Sequence, residues 1–311
     1  MPSLRKELGK VLVELGKEYK NIVVITGDLG KSTGVSAFET FPERYFNLGI
    51  SEQDMIGTAA GLASAGKIPV VSTYAIFLAG RAWEQIRNSV ARDDLNVKMI
   101  ATHSGISPSA DGSSHQCFED IALIRAIAGT TLVLPADLSE MRCAVRAAVE
   151  TRGPFYVRLG RGEIPQIFDD ENVFQIGKAR RVSDGSDVGI VASGFLVPEA
   201  IEAEAILRRE GVKATVLDMH TVKPADTEAI AKVARESGAI VTVEDHNVLG
   251  GLGATVAEIV CRDSPVPVEM IGIRDRFGES GDLRELMEIY GMTARHIADA
   301  AKRVIKVKER A

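Results

Sequence analysis

The polar side chains best suited to chemistry are concentrated in one segment, THSGISPSADGSSHQCFED, at residues 102–120. It holds His103 and His115, with Asp111 between them. A metal site would need close pairs such as H-x-x-x-H with further ligands, and this segment has none. Two imidazoles and a carboxylate could instead bind a sugar or a phosphate through hydrogen bonds. On spacing alone, ordinary loop histidines explain the pattern equally well.

A second candidate is Glu52, which lies in FNLGISEQDMIG, where a strand-like run meets a helical pattern. A carboxylate at such a position most often caps the helix, with Ser51 as the N-cap residue and Glu52 favoured by the helix dipole. Its neighbours Ile50 and Met55 are apolar, however, and an acid in such surroundings could exchange protons with a ligand. Both interpretations, capping and proton exchange, are open at this point.

The remaining motifs are less specific. Tyr74 and Phe77 are aromatic in a chain with only 5% aromatic residues, and their spacing of three is more typical of core packing than of a ligand platform. GDLGKSTG at residues 27–34 lacks the G-x-x-x-x-G-K-[ST] spacing of a phosphate-binding loop, and GGLG at 250–253 is not a dinucleotide fingerprint. Spacing therefore predicts an α/β enzyme subunit with an anion-binding crevice and nothing more specific.

Short apolar runs alternate with longer segments of helical period along the whole chain. The first half has five such runs, which predict buried strands: NIVVITGD, KIPVVST, NVKMIATH, TTLVLPA and PFYVRLGR. Apolar strands separated by helices indicate a parallel sheet that is covered on both faces. The polar loops after the first three strands, at residues 27–34, 72–77 and 102–116, should therefore open onto one crevice at the carboxyl edge of the sheet.

A change of pattern divides the chain. Residues 163–178, EIPQIFDDENVFQIGK, mix acidic and apolar side chains without a clear period, which indicates a linker. A second round of strands and helices follows. We predict a first domain at residues 1–165, a linker at 166–177 and a second domain at 178–311. Each domain should be a mainly parallel sheet flanked by helices, which is the α/β class.

Composition excludes several classes of protein. The chain has 37 basic and 43 acidic residues, a formal net charge of −6 and no basic block, which argues against a nucleic-acid binder. No run approaches the ~20 apolar residues of a membrane-spanning helix. The N-terminal residues lack the features of a signal peptide and predict an amphipathic helix. Three separated cysteines without C-x-x-C fit a reducing cytoplasm and no zinc site. We expect a cytoplasmic protein.

Several motifs resemble one family when they are taken together. FNLGISEQDM resembles its G-I-x-E block, GDLGKS its A-D-L-x-x-S, and THSGISPSADGSSHQ its T-H-D-S-I-x-x-G-E-D-G-P-T-H-Q, with the same spacing between the two histidines. RKELGKVL, DMHTVKP and VEDHNVLGGLG match further segments. Over essentially its whole length the chain resembles the C-terminal section of the transketolases, which some organisms make as a separate chain. The resemblance implies a pyrimidine-binding domain followed by a transketolase C-terminal domain.

The resemblance also implies a cofactor. Transketolases use thiamine diphosphate to move a two-carbon ketol unit from a ketose phosphate to an aldose phosphate. Glu52 matches the catalytic glutamate that hydrogen-bonds N1′ of the aminopyrimidine ring, and Phe77 matches the aromatic residue that packs on this ring. Tyr74 stands at a neighbouring aromatic position, and Asp28 matches an aspartate close to the cofactor.

On the substrate side, Asp111 and the catalytic His115 match residues that bind sugar hydroxyls near the reacting carbons. Another set matches the group that holds the substrate phosphate: Arg5, Ser32, His103 and Arg161. Guanidinium groups with hydroxyl and imidazole donors suit a terminal dianion. Arg158 is close enough in sequence to share this task.

One family signature is absent from the sequence. The motif that binds diphosphate and magnesium, G-D-G followed some 25–30 residues later by Asn, does not occur. We therefore expect no metal ligand on this chain and the Mg²⁺ ligands on a partner, an N-terminal transketolase subunit that carries the G-D-G motif. The cofactor would lie at their interface, in a heterotetramer of two copies of each chain (α2β2).

Three alternatives remain at this level. A deoxyxylulose-phosphate synthase has a similar domain but should carry Asp at His103. The β subunit of a 2-oxo-acid dehydrogenase also supplies half a site, although the D-G-S-S-H-Q loop fits a sugar phosphate better. A non-catalytic scaffold should have lost Glu52 or the phosphate-binding group, and both are present.

Overall fold

Two β-sheets organise the chain, one formed mainly by each half. A computed structural model describes residues 3–169 and 174–310. Residues 170–173, in the predicted linker, lie outside the described part. Both sheets are mainly parallel and flanked by helices, which confirms the predicted fold class. None of the helices in the described part is both long and apolar enough to cross a membrane.

The first sheet has seven strands in the order β10-β5-β6-β4-β3-β1-β2. Its strands are β1 Ile22–Thr26, β2 Tyr45–Asn47, β3 Ile68–Tyr74, β4 Lys98–Thr102, β5 Thr131–Val133, β6 Phe155–Arg158 and β10 Thr221–Lys223. The first six pair in parallel, and they include all five strands predicted from the apolar runs. The carboxyl ends of β1, β3 and β4 therefore meet at one edge, as the pattern of loops predicted.

Helices cover both faces of this sheet. On one face lie α1 Leu4–Glu18 and α6 Leu138–Glu150, whose apolar side chains form one core cluster with Ile22 and Val24 of β1. The other face holds α3 Glu52–Ser64 and α5 Asp120–Arg125. The alternation of side chains along each strand sends neighbouring residues to opposite clusters. The predicted apolar stripe of α1 is confirmed, because Leu4, Leu8, Val11 and Leu15 are all buried.

Residues 76–91 are not one regular α-helix, although the helical period of AGRAWEQIRNSVARDD, at residues 79–94, predicts one. They form two π-helical segments, Ile76–Arg81 and Ile86–Ala91, separated by one α-helical turn, α4 Trp83–Gln85. A π-helical turn widens the helix and rotates the side chains that follow it, and such turns are frequent near functional sites. Here the first segment carries Phe77 and Arg81.

The segment GDLGKSTG was predicted to be a loop, but part of it is helical. Residues Gly30–Thr33 form a short helix, α2, in which the Thr33 hydroxyl donates to the Leu29 carbonyl at 3.0 Å. Gly34 ends this turn in the left-handed conformation, with φ +90°. The segment contains no residue that prevents one helical turn, and polarity alone does not distinguish such a turn from a loop.

The second sheet has the strand order β12-β11-β8-β9-β7. Its strands are β7 Arg180–Arg181, β8 Val188–Ala192, β9 Ala214–Asp218, β11 Ile240–Asn247 and β12 Val268–Ile273, and only β7 is antiparallel to its neighbour. The helices are α7 Val197–Arg209, α8 Thr227–Ser237, α9 Leu252–Asp263, α10 Leu283–Ile289 and α11 Ala294–Lys308. α7 and α11 share one core cluster, whereas α8 and α9 pack into the cluster that also holds α3.

The strand β10 joins the two halves. It belongs to the second half of the sequence, yet it pairs antiparallel with β5, with Thr221 opposite Val133 and Lys223 opposite Leu132. The segment ATVLDMHTVKP thus supplies β9 to one sheet and β10 to the other. The first sheet is complete only with a strand from the second half.

Candidate functional site

Glu52 is the first residue of α3 and lies at the carboxyl edge of the first sheet. Its side chain is 3% exposed. One carboxylate oxygen, Oε2, accepts a hydrogen bond from Arg81 Nη1 at 3.1 Å. The other, Oε1, is buried and has no hydrogen-bond partner among the described residues. A buried polar atom without a partner is costly, so this oxygen is placed to receive a donor from a ligand.

Ser51 is the N-cap residue of α3, as predicted, but its side chain makes no capping bond to the helix. Its hydroxyl donates instead to the Leu48 carbonyl at 2.9 Å. The first turn of α3 therefore relies on its own acidic residues to offset the helix dipole. Glu52 is one of these acidic residues, and its carboxylate also faces Arg81 and a cavity, so the two interpretations of Glu52 are compatible.

The cavity beside Glu52 has a volume of about 270 Å³. Residues from the segments that follow β1, β2, β3 and β4, and from the start of α3, line it: Gly27, Asp28, Leu29, Ile50, Glu52, Phe77, Arg81 and His115. The Phe77 ring has Arg81 Cζ 4.1 Å from its centroid, and the His115 ring meets it edge-on at 5.5 Å. A buried acid next to an aromatic ring is an arrangement that suits a flat, hydrogen-bonding heterocycle.

Asp28 lies at the mouth of this cavity, directly after β1. Its backbone is left-handed, with φ +63°, and its N–H donates to Asn47 Oδ1 at 2.9 Å. Asp and Asn tolerate this conformation better than most residues. The turn exposes the Asp28 side chain on the cavity wall.

A second, narrow cleft, with a volume of only about 10 Å³, brings together the four residues that were predicted to hold a phosphate. Its lining includes Arg5, Ser32, His103 and Arg161, which come from α1, α2, the end of β4 and the segment after β6. Both arginines are exposed, whereas His103 is buried. Two cations, a hydroxyl and an imidazole, which lie far apart in the sequence, thus come together in one cleft, and such groups suit an anion.

His103 is held neutral in this cleft. Burial lowers its pKa to about 3, and the charges of Arg161 and Arg5 act in the same direction. Its backbone adopts φ +56°, a conformation that is uncommon for a residue other than glycine. Its Nδ1 lies 3.0 Å from Thr102 Oγ1. Because Nδ1 is engaged by Thr102, the other nitrogen of the neutral imidazole, Nε2, is the one left to contact a ligand.

Tyr74 lies between the cavity and the cleft. Its ring stacks on Phe77 with centroids 5.6 Å apart and on His103 with centroids 3.8 Å apart. Its hydroxyl hydrogen-bonds to the Ser32 hydroxyl. The residue was expected beside a cofactor, but the structure places its polar end with the anion-binding group.

The loop after β4 also reaches both places. Asp111 Oδ2 accepts a hydrogen bond from Arg161 Nη1 at 2.7 Å, which ties this carboxylate to the cleft. His115 lines the cavity, and its Nδ1 lies 2.9 Å from Ser114 Oγ. One loop thus presents groups for hydroxyl or phosphate recognition to two neighbouring spaces.

The expectation that Arg158 shares phosphate binding is wrong. Its side chain is buried, and its guanidinium is bound by Asp120 at 2.9 Å and by Asp245 at 2.6 Å. Both carboxylates are themselves buried, so the guanidinium is fully engaged inside the protein and does not face the cleft. Arg81, in contrast, was missed by sequence reasoning. Its position four residues after Phe77, one helical turn further on, is a signal that could have identified it.

Within residues 3–169 and 174–310, no cluster of three or more His, Cys, Asp or Glu side chains is arranged to hold a metal ion.

Known proteins share both the sequence and the fold. The profile of the transketolase pyrimidine binding domain matches residues 1–166, and that of the transketolase C-terminal domain matches residues 177–297. A putative transketolase C-terminal section from Methanocaldococcus jannaschii is 46% identical over 95% of this chain and 94% of its own length. A 6-deoxy-6-sulfo-D-fructose transketolase subunit from Clostridium sp. (strain MSTE9) is 39% identical over 98% of this chain and 95% of its own length.

Among solved structures, a split gene transketolase described as an inactive β4 tetramer superposes with a TM-score of 0.92. It is 46% identical to this chain, and the superposition covers 99% of this chain and 100% of that one.

Proposed function

Because the chain belongs to the transketolase family, we propose that it is the C-terminal subunit of a two-chain transketolase. It would act in transfer of a two-carbon ketol unit from a ketose phosphate to an aldose phosphate with thiamine diphosphate. The observation that carries this proposal is the pair of adjoining spaces: a cavity with an unpartnered buried Glu52 oxygen, and a cleft lined by Arg5, Ser32, His103 and Arg161.

The residues of the cavity fit the aminopyrimidine half of the cofactor. Glu52 Oε1 is buried without a partner among the described residues and can hold a proton shared with a ring nitrogen. Phe77 offers its ring for stacking, and Asp28 lies at the mouth. When bound, thiamine diphosphate supplies the carbon nucleophile that carries the ketol unit. The task of Glu52 is to hold and move a proton at the edge of the ring.

The residues of the cleft fit the anionic end of a sugar. Arg5 and Arg161 would bind a terminal phosphate with Ser32 and neutral His103, while Asp111 and His115 orient the hydroxyl groups. The Clostridium relative is named for a sugar with a sulfo group at its end. A terminal anion is therefore a shared feature that this cleft would recognise.

We place the diphosphate and Mg²⁺ ligands on a partner chain. The sequence lacks the G-D-G motif, and magnesium needs several oxygen ligands in a near-octahedral shell. Ile50 lines the cavity mouth with 75% of its side chain exposed, and Phe46 of β2 is also exposed. Exposed apolar side chains beside a site are typical of a surface that another chain covers. An α2β2 assembly would bury them at the cofactor.

The test is ketol transfer from xylulose 5-phosphate to ribose 5-phosphate with thiamine diphosphate and Mg²⁺. It should be run on this chain alone and on this chain purified with a subunit that carries the G-D-G motif. We expect activity only in the mixture. Glu52→Gln, which keeps the shape of the side chain but not its acidity, should lower kcat at least 100-fold. Activity from the chain alone would contradict the division of the site between two chains.

A further inference from the structure

A buried ionic network connects the two halves behind the loop of residues 105–117. Its centre is Arg158, the last residue of β6. Arg158 Nε donates to Asp120 Oδ1 and Oδ2 at 3.1 and 2.9 Å, and Nη1 donates to Asp245 Oδ1 at 2.6 Å. Asp120 opens α5 in the first half, whereas Asp245 belongs to β11 of the second sheet. All three side chains are at most 4% exposed.

The network holds the base of the loop. Gly105 and Cys117 exchange two backbone hydrogen bonds, N–H to carbonyl, of 3.0 and 3.1 Å, and so close the loop at its two ends. Arg158 Nη2 donates to the Cys117 carbonyl at 3.4 Å and to the Asp245 carbonyl at 3.2 Å. The guanidinium thus bonds to Asp245 and to the closing pair at the same time.

Asp245 also lies directly against Gly105. A Cβ atom added to Gly105 would lie 1.7 Å from Asp245 Oδ2, and Gly105 adopts φ +56°. Only glycine allows the loop to approach the carboxylate so closely in this conformation. Further contacts from the second half reach the same loop end, because the Asn247 N–H donates to the Phe118 carbonyl at 2.9 Å and Gln116 Nε2 donates to the Glu279 carbonyl at 2.9 Å.

Burying three charges is a costly way to stabilise a fold. Each buried ion loses several kcal/mol of solvation, roughly, which its partners must offset, and apolar residues of similar volume often stabilise as well. A buried ionic group of this kind can instead specify one arrangement of the segments that it joins. Here the segment is the loop that presents Asp111 to the cleft and His115 to the cavity.

We propose that Asp245 is a positioning residue for substrate recognition. By holding Arg158 and by filling the space beside Gly105, this residue of the second half sets where the 105–117 loop starts and ends, and therefore where Asp111 and His115 lie. The roles of Asp111 and His115 rest on the proposed function, whereas the coupling between Asp245 and the loop does not. This assigns the C-terminal half a part in substrate binding.

The first test uses Asp245→Asn in the full chain with its partner subunit. Asparagine keeps the size of the side chain but removes the charge that faces Arg158. Hydrogen–deuterium exchange of the loop amides should become at least tenfold faster. KM for the ketose phosphate should rise about tenfold, while the Kd of thiamine diphosphate should rise less than threefold, because His115 is only one of the residues that line its proposed cavity. A merely structural residue would not separate these two affinities.

A second variant, Gly105→Ala, leaves every charge in place and pushes the loop base away from Asp245. This variant should also raise KM for the ketose phosphate and accelerate hydrogen–deuterium exchange of the loop amides. The matched control is Asp218→Asn, at another fully buried aspartate of the second half, for which both quantities should stay within twofold of wild type.

The outcomes distinguish the two proposals. A wild-type complex that is active, with loop exchange and KM unchanged in both Asp245→Asn and Gly105→Ala, overturns the positioning role. Equal changes of loop exchange and KM in Asp218→Asn would also overturn it, because they would indicate a general loss of stability and not an effect specific to the loop. A wild-type complex without ketol transfer, but with loop exchange accelerated only in the Asp245 and Gly105 variants, would refute the proposed function and support the coupling.

Discussion

The Arg81 side chain covers both Glu52 and Phe77, the two residues that a cofactor ring would contact under the proposed function. Arg81 Nη1 lies 3.1 Å from Glu52 Oε2, and Arg81 Cζ lies 4.1 Å from the centroid of the Phe77 ring. A guanidinium is planar, donates in a fixed fork to carboxylates and stacks on aromatic rings. The Arg81 side chain is 49% exposed, so it can leave this position towards solvent. If the proposed function is correct, the aminopyrimidine has to displace the Arg81 side chain to reach Glu52 and Phe77.

The first prediction concerns this arginine. Arg81→Ala should tighten thiamine diphosphate binding by about three- to tenfold, a gain of up to ~1.4 kcal/mol, because the cofactor no longer has to displace the guanidinium. The measurement is the Kd of the cofactor for the two-chain complex, by calorimetry. Arg87→Ala, in the second π-helical segment, is the control and should leave the Kd unchanged. A weaker affinity in Arg81→Ala would mean that Arg81 holds the bound cofactor.

At the level of elements, the anion-binding cleft depends on the close approach of α1 and α2. Gly34, which ends α2, has φ +90°, and a Cβ there would lie 2.0 Å from the Arg5 carbonyl. Gly9 of α1 faces the same turn, since its Cβ would lie 2.7 Å from the Gly34 carbonyl. Two glycines thus let the helices touch, and this contact sets Arg5 beside Ser32.

The second prediction follows from this contact. Gly34→Ala should raise KM for the sugar phosphate at least fivefold, because the new methyl group pushes the start of α1, and with it Arg5, away from Ser32. Gly66→Ala separates this effect from backbone strain. Gly66 has φ +82° but nothing within 4 Å of its Cβ position, so this change should cost about 1 kcal/mol of stability and leave KM unchanged. Steady-state kinetics and urea unfolding of both variants provide the comparison.

At the scale of the whole molecule, the two halves share a core and a sheet. β10 completes the first sheet, and one apolar cluster contains residues of both α3 and α8. His220 lies just before β10, where it stacks on Phe174 with centroids 4.4 Å apart and is 2% exposed. Burial lowers its pKa to about 4, and the charge of Arg180 contributes. Folding of the two halves together therefore keeps this imidazole neutral.

The third prediction is a dependence of stability on pH. The unfolded chain binds a proton at His220 below pH ~6.5, whereas the folded chain does so only below about 4. The stability from this group is therefore present above pH ~6.5 and is lost as pH falls towards 4. Between pH ~6.5 and about 4, the free energy of unfolding therefore falls with falling pH. His220→Gln should reduce this slope against pH by about 1 kcal/mol per pH unit.

The measurement for this prediction is urea unfolding at several pH values. Burial raises the pKa of Asp245 to about 6, which gives a slope of opposite sign, but this contribution is common to wild type and variant and cancels in their difference. His296→Gln is the matched control, at a histidine whose side chain is 39% exposed. An equal change of slope in both variants would contradict the assignment to His220.

Much of the fold was predictable because its signals are local. The five apolar runs became five strands of the first sheet, and the three polar loops met at one edge. The short helix α2 and the π-helical segments were not predictable. The period of residues 79–94 fits an ordinary helix, and a polar segment such as GDLGKSTG can be either a turn or a loop. The predicted domain limits and the roles of the site residues stay predictions.

By itself, the sequence determined the alternation of strands and helices, and through its motifs the set of residues that meet at the sheet edge. Only the tertiary structure decided which of these residues line the cavity or the cleft. Arg158 and Arg161 are three positions apart, yet Arg161 is exposed in the cleft and Arg158 is buried between Asp120 and Asp245. These partners lie 38 and 87 residues away from Arg158 in the sequence. A local pattern carries no information about such distant carboxylates, and burial of a charge depends on them.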